Sequence, residues 1–254
     1  MISILGPAKT IDMSPHGVTE HYSSPFYPDR TGELVDRLRQ YSVSRLKKLM
    51  SVSDKLATLT FERYATWRSS YPAGEGQQAL MAFSGEVFNG LKARSLSEVD
   101  LLFAQEHVRI LSGLYGVLRP LDQILPYRLE MGTKLPNARG RNLYEFWQDI
   151  IPRRIAEDTE GQDSPVLINL ASNEYFKSIQ PASFPYEIIT PVFKESTGTG
   201  YRNVTIYAKK ARGMMLRFII QNRINTPEYL KAFDEEGYYY NNDLSSQKDW
   251  VFCR

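Results

Sequence analysis

The residues best equipped for chemistry in this chain are arginines and lysines with few acids near them. Between Glu195 and Glu228 there is no acidic residue, while Arg202, Lys209, Lys210, Arg212, Arg217 and Arg223 supply six positive charges. Apolar spacing predicts a helix from about Ala208 to Arg223, with Lys209, Lys210 and Arg212 in its first turn. The partial positive charge of a helix start opposes each such cation by roughly 0.3–1 kcal/mol. Free N–H groups plus cations there suit an anion, phosphate above all. Pairing with acids from elsewhere in the fold is the plainer alternative.

A second basic stretch runs from Arg109 to Arg141. In it Arg109, Arg119, Arg128, Lys134, Arg139 and Arg141 face only Asp122 and Glu130, six cations against two acids and a local charge of +4. Inside it, residues 107 to 122 read as a helix end, a tight turn holding Gly113 and Gly116, and a short restart. Gly113 falls where a helix end favours a left-handed residue. Bracketed by Arg109 and Arg119, the turn reads as backbone amides offered to an anion. Segregated charge in a chain of net charge +2 is what a charged cleft requires.

Other chemistries fare poorly. The single cysteine, Cys253, excludes an internal disulfide framework and a Cys-x-x-Cys pair, and fits a reducing compartment. His16 and His21 sit in a proline-rich loop predicted over residues 12 to 32, and His107 reads best as a satisfied core histidine. No metal site or cofactor is expected. Lys9 follows a short strand at Ile2 to Leu5, but one glycine before Lys-Thr is too few for a P-loop; Lys9 stays a candidate site residue. No signal peptide and no run of about 18 apolar residues is present, so a cytoplasmic protein without a membrane partner is expected.

The elements that must position these cations follow from periodicity and caps. A helical pattern starts near Glu33, breaks at Ser42 to Ser44, and resumes after an N-cap at Ser53. Gln78 to Phe83 reads as a buried strand. Ser97 with Asp100, and Asn142 with Glu145, mark two capped helix starts. Pro126 to Gly132 reads as strand or extended chain. Pro165 to Ala171 is apolar on both parities, a strand covered on both faces, and Asn169 near its end is either hydrogen-bonded core or site. Tyr186 to Phe193 and Tyr201 to Tyr207 suggest a hairpin, and two short strands close the chain near Tyr238 to Tyr240 and Trp250 to Phe252.

Several of these stretches are specific together: Pro-Ala-Lys-Thr at 7–10, Ser-Asp-Lys-Leu-Ala at 53–57, Leu-Ser-Gly-Leu-Tyr-Gly-Val-Leu-Arg-Pro-Leu-Asp at 111–122, Pro-Tyr-Arg-Leu-Glu-Met-Gly at 126–132, Ile-Asn-Leu-Ala-Ser at 168–172, and Tyr-Ala-Lys-Lys-Ala-Arg-Gly at 207–213. With them the chain resembles, nearly end to end, the YaaA peroxide-stress family of bacterial cytoplasmic proteins. Gly6 departs from the serine usual in that family, and Phe88 from a tyrosine. The resemblance implies an α+β fold over residues 1–254, a mixed sheet surrounded by helices, with a helix-hairpin-helix-like element and a basic cleft. It also implies duplex DNA as partner and a part in iron homeostasis and in limiting oxidative DNA damage under hydrogen peroxide. Carried onto this chain, the hairpin falls on Ser112 to Val117.

Two readings stay open. In one, the protein holds DNA phosphates without reading sequence, through Lys9, Lys55, Arg109, Ser112, Gly113, Gly116, Arg119, Arg128, Lys177, Lys209, Lys210 and Arg212. In the other, an enzyme acts on a small anionic metabolite or nucleotide in the same cleft. Lys9, Lys55, Arg109, Asn169, Glu174, Lys177 and Lys209 would then form its mixed polar lining.

Overall fold

A computed structural model describes residues 1–15, 18–72 and 74–254; the loop reading of His16 lies outside them. The chain opens with β1 (Ile2–Leu5) and β2 (Thr10–Ile11), then three helices, α1 (Pro28–Arg39), α2 (Val43–Met50) and α3 (Asp54–Thr66). Next come β3 (Gln77–Gln78), α4 (Ala79–Ala82), β4 (Phe83–Ser84) and α5 (Glu86–Leu91). They lead to α6 (Glu98–His107), β5 (Val108–Ser112), β6 (Gly116–Leu118) and β7 (Gln123–Ile124). The last part holds α7 (Leu143–Trp147), α8 (Ile150–Glu160), β8 (Val166–Asn169), α9 (Asn173–Phe176), β9 (Glu187–Ser196), β10 (Tyr201–Arg202), α10 (Thr205–Gln221), β11 (Tyr239–Tyr240) and β12 (Asp249–Cys253).

The fold is α+β, as expected, with a mixed sheet. Among the described residues its eight strands run β11-β12-β9-β8-β1-β5-β6, with β10 on β9. β5 and β8 flank β1 in parallel, β9 continues parallel to β8, and β12 parallel to β9. β6, β10 and β11 are antiparallel additions. Every residue of β1, β5 and β8 is buried, which explains why their sequences are apolar on both parities. Taken in chain order, the five parallel strands stand 2-1-3-4-5, so connections leave in opposite directions between β1 and β8. In such sheets the crevice beyond the carboxyl ends of the two diverging strands is where ligands bind.

Helix starts follow their caps. Ser97 and Asp100 form the full capping box of α6, Asn142 caps α7 through the Glu145 amide, and Ser53 caps α3 through the Leu56 amide. The helices α5 and α10 cross at close range because both carry glycine at the contact. A Cβ on Gly90 would strike the Lys210 carbonyl oxygen, and one on Gly213 the Val87 carbonyl oxygen.

Three expectations are corrected. Residues 107–122 are not a helix end and restart: α6 stops at His107 and β5 pairs antiparallel with β6. An apolar run with both parities filled reads equally as buried strand, and here β1 recruits it. Gln78 to Phe83 is two short strands separated by the single turn of α4. Of the two forms read for Pro126 to Gly132, the chain takes the extended one, unpaired through Glu130, and turns at Met131. Finally α10 starts at Thr205, about one turn earlier than expected, so the hairpin strand after β9 is only Tyr201–Arg202. That start moves Lys209, Lys210 and Arg212 out of the first turn and into the next.

Candidate functional site

The cleft beyond β1 and β8 has a volume of about 810 Å³. Its floor is the Gly6–Thr10 segment that leaves β1, and one wall is the turn after β8 with Ser172, Asn173, Glu174 and Tyr175. The pairing of Thr10 with Ser84 brings Gly85, Glu86 and Phe88 alongside. Tyr127 to Glu130 close another side, and α10 contributes Thr205, Ala208, Lys209 and Arg212. Gly6 lies against the ring of Tyr175, where a Cβ would stand 3.3 Å from the ring. A serine there would press on that tyrosine.

The charges of the cleft divide into satisfied and unsatisfied groups. Glu130 accepts Lys9 at 3.0 Å and Arg128 at 3.2 Å, so one carboxylate holds two cations. Arg128 Nε is buried without a hydrogen-bond partner. Glu174 Oε1 accepts the Gly132 amide at 2.7 Å. Among the described residues, Lys209, Arg212 and Glu86 have no ion-pair partner within 4.0 Å. Arg212 is only partly exposed, and burial alone depresses its pKa, with no nearby carboxylate to raise it. A half-buried guanidinium without counter-charge is costly unless something in the cleft supplies one. Burial also raises the Tyr175 hydroxyl, which stays neutral at physiological pH.

Of the predicted site residues, the cleft gathers Lys9, Arg128, Lys209 and Arg212, with Glu174 from the metabolite reading. It does not gather the others. Arg109 is buried and donates to Asp158 at 2.7 Å and to the carbonyls of Gln105 and Val108 at 2.8 Å each. Its charge is spent inside the protein. Ser112 Oγ is 2.7 Å from the Tyr127 hydroxyl and accepts the amides of Leu114 and Tyr115. The amides of that turn therefore satisfy a neighbouring hydroxyl instead of facing an anion. Gly113 packs under the Leu129 carbonyl and accepts Trp147 Nε1 at 3.0 Å; Gly116, with φ +73°, lies beneath the Trp147 rings. These glycines serve close packing.

Arg119 is held by Asp122 and the Ser24 carbonyl and stacks 4.5 Å from the Phe26 centroid. Lys210 pairs with Glu236, and Lys177 stands over the Tyr144 ring. Asn169 is hydrogen-bonded core: its Oδ1 accepts the Ala171 amide and its Nδ2 donates to Thr190. His107 is partly buried, stacked on Phe103, with Nδ1 3.2 Å from the Met1 carbonyl oxygen. No group of three or more His, Cys, Asp or Glu among the described residues is placed to hold a metal ion. No described helix is long and apolar enough to cross a membrane.

Lys55 belongs to a second feature. The helices α2 and α3 pack together and are joined by only Ser51, Val52 and Ser53. Ser51 takes the left-handed conformation (φ 52°, ψ 51°) that ends α2, and Ser53 starts α3 at once. The first amides of α3 have no partner within the helix. Lys47 and Lys48 in the last turn of α2 and Lys55 in the first turn of α3 flank the link; Lys47 is taken by Asp54 at 2.8 Å, and Lys48, Lys55 and, at the other end of α2, Arg45 have no acidic partner among the described residues. Arg45 lies flat over Tyr41 at 4.1 Å. At its far end α3 is fixed to the cleft wall by Tyr64, whose hydroxyl donates to the Arg128 carbonyl at 2.6 Å.

The family model described as peroxide stress protein YaaA matches residues 1–244. The chain belongs to that family. The YaaA motifs quoted above thus map onto both features: Pro7–Thr10 and Tyr207–Gly213 onto the cleft, Ser53–Ala57 onto the start of α3. Sequence reasoning missed Glu86, Arg45 and Lys48. Glu86 carries no local signal. The other two were legible as cations spaced around a short break between apolar helical runs, but the break has Ser51 where a glycine would have announced it.

Proposed function

We propose that this YaaA-family protein serves the peroxide-stress response by holding duplex DNA without sequence preference, helping limit iron-dependent oxidative damage to it. The α2–α3 hairpin is the contact. One observation carries the reading: a three-residue link between two helices, with Ser51 and Ser53 exposed, presents the Asp54 and Lys55 amides at the start of α3, ahead of the capped Leu56 amide, between Lys48 and Lys55, both free of acids among the described residues. Backbone amides and basic side chains suit phosphate oxygens and carry no base information. The link does at residues 51–53 what sequence reasoning expected of 112–117. α3 ties the link to the rest of the fold, running roughly 14 Å from Lys55 to the Tyr64 anchor.

Counterion release sets the test. Affinity for a random duplex, followed by fluorescence anisotropy, should fall steeply and linearly in log–log form as salt rises. Lys48→Gln and Lys55→Gln should each weaken binding equally for all sequences and reduce the slope by about one. A weak association indifferent to salt, or one that both variants leave untouched, would sink the hairpin reading.

A further inference from the structure

We propose that the switch-point cleft is a binding site for a small hydroxylated phosphomonoester, with the phosphate on Lys209 and Arg212 and a hydroxyl on Glu86. The residues are distinct from those of the helix hairpin, so this site stands or falls independently of DNA binding.

Its size argues for a small ligand. About 810 Å³ lies within the range of roughly 300–1,000 Å³ that encloses metabolites. Its place in the sheet, between two parallel strands whose connections diverge, is where such folds put their ligands.

The charges argue for the chemistry. Lys9 and Arg128 share Glu130 as their ion-pair partner, whereas Lys209 and Arg212 have none among the described residues and are the open cations. They stand three residues apart on α10 and both line the cleft. Two cations match the charge of a phosphomonoester, and the guanidinium can offer two parallel N–H groups to its oxygens.

The acid identifies the rest of the ligand. Glu86 and Arg212 are the sequence neighbours of Val87 and Gly213, whose close contact fixes the α5–α10 crossing. They flank the same contact and line the same cleft, yet form no ion pair. A carboxylate left open in the same cleft repels a bare polyanion and accepts a hydroxyl. Duplex DNA, with phosphates on every side, fits that combination badly.

The test titrates the full chain with ribose 5-phosphate, phenyl phosphate and inorganic phosphate by calorimetry, with thermal unfolding as second readout. Ribose 5-phosphate should bind and raise Tm. Arg212→Gln should weaken all three by about tenfold or more. Because Arg212 has no partner to lose, the same variant should unfold without ligand at the wild-type Tm or above. Glu86→Gln should weaken ribose 5-phosphate and spare or strengthen phenyl phosphate. Failure of all three to bind, or binding that Arg212→Gln leaves unchanged, would overturn the proposal. So would Arg212→Gln weakening a random duplex as much as Lys55→Gln does, for the cleft would then be part of a polyanion surface.

Discussion

Gly213 of α10 lies so close to the carbonyl of Val87 in α5 that no Cβ atom fits between the two helices. Helix propensity alone favours alanine over glycine by about 1 kcal/mol in a helix interior. At this crossing the sign reverses, because backbone must move to admit the methyl group. Gly213→Ala should destabilise the protein by about 2 kcal/mol, read as a lower urea midpoint at unchanged m-value. Gly90→Ala, on the facing side, should act in the same direction. A stabilised Gly213→Ala variant would mean that the helices can slide apart at little cost.

Arg109 and Asp158 form an ion pair of 2.7 Å in which both side chains are under a tenth exposed. Removing one member of a buried pair leaves the other uncompensated, at about 3–5 kcal/mol. Asp158 keeps Arg154 as a second partner, so Arg109→Met should cost about 3 kcal/mol, the lower end. On the proposed hairpin contact with DNA, the folded variant should match the wild type in any affinity for duplex and in its salt dependence. Weaker DNA binding by the folded variant would restore Arg109 to the interface.

The hairpin link offers two substitutions of opposite sign. Ser51 holds φ 52°, a conformation that costs an L-residue roughly 1–2 kcal/mol and glycine almost nothing. Ser51→Gly should therefore stabilise the fold by about 0.5–1 kcal/mol after the entropy of the unfolded chain is counted. Ser53→Ala removes the cap that accepts the Leu56 amide and should cost about 1 kcal/mol. Denaturant unfolding of the two single variants gives both signs at once.

Two groups near the chain start make stability depend on pH. Burial lowers the Met1 α-amino group from an ordinary 8.0 to about 6, and pushes His107 below its ordinary 6.5. A base depressed in the fold binds protons more readily once unfolded, so acidification favours the unfolded chain. Stability should decline as pH falls from 8 toward 6, with His107 adding to the loss below 6.5. Thermal unfolding at constant ionic strength should show Tm rising from pH 6 to 8, and His107→Gln should flatten the acid end. A Tm that falls over this interval would contradict the burial of both groups.

Local rules were legible and non-local ones were not. The caps at Ser53, Ser97 and Asn142 need only neighbours in sequence, and all three hold. The buried strand at Val166–Asn169 and the closing pair β11–β12 were visible as apolar alternation or runs. The 107–122 stretch misled because a strand buried on both faces has no period to separate it from a helix. Its cations misled for a different reason. Arg109 looked free in its own segment, yet its acid is Asp158, on a helix 49 positions away. The charge of the cleft was likewise half hidden, since Glu130 was countable but its double engagement with Lys9 and Arg128 was not. The cleft itself follows from strand order, which no local pattern encodes.

That strand order also bears on how the chain is made. β1 occupies the middle of the sheet, with Ser3 paired to both Val108 and Ile168. A ribosome releases Ile2–Leu5 long before either partner strand exists, and all four of these residues are buried in the finished sheet. Until then an apolar strand waits with both edges open, a template for pairing with other chains. A nascent or truncated product ending before Val166 would lack the β8 edge altogether, which makes it a natural client for holdase chaperones and a poor candidate for partial expression.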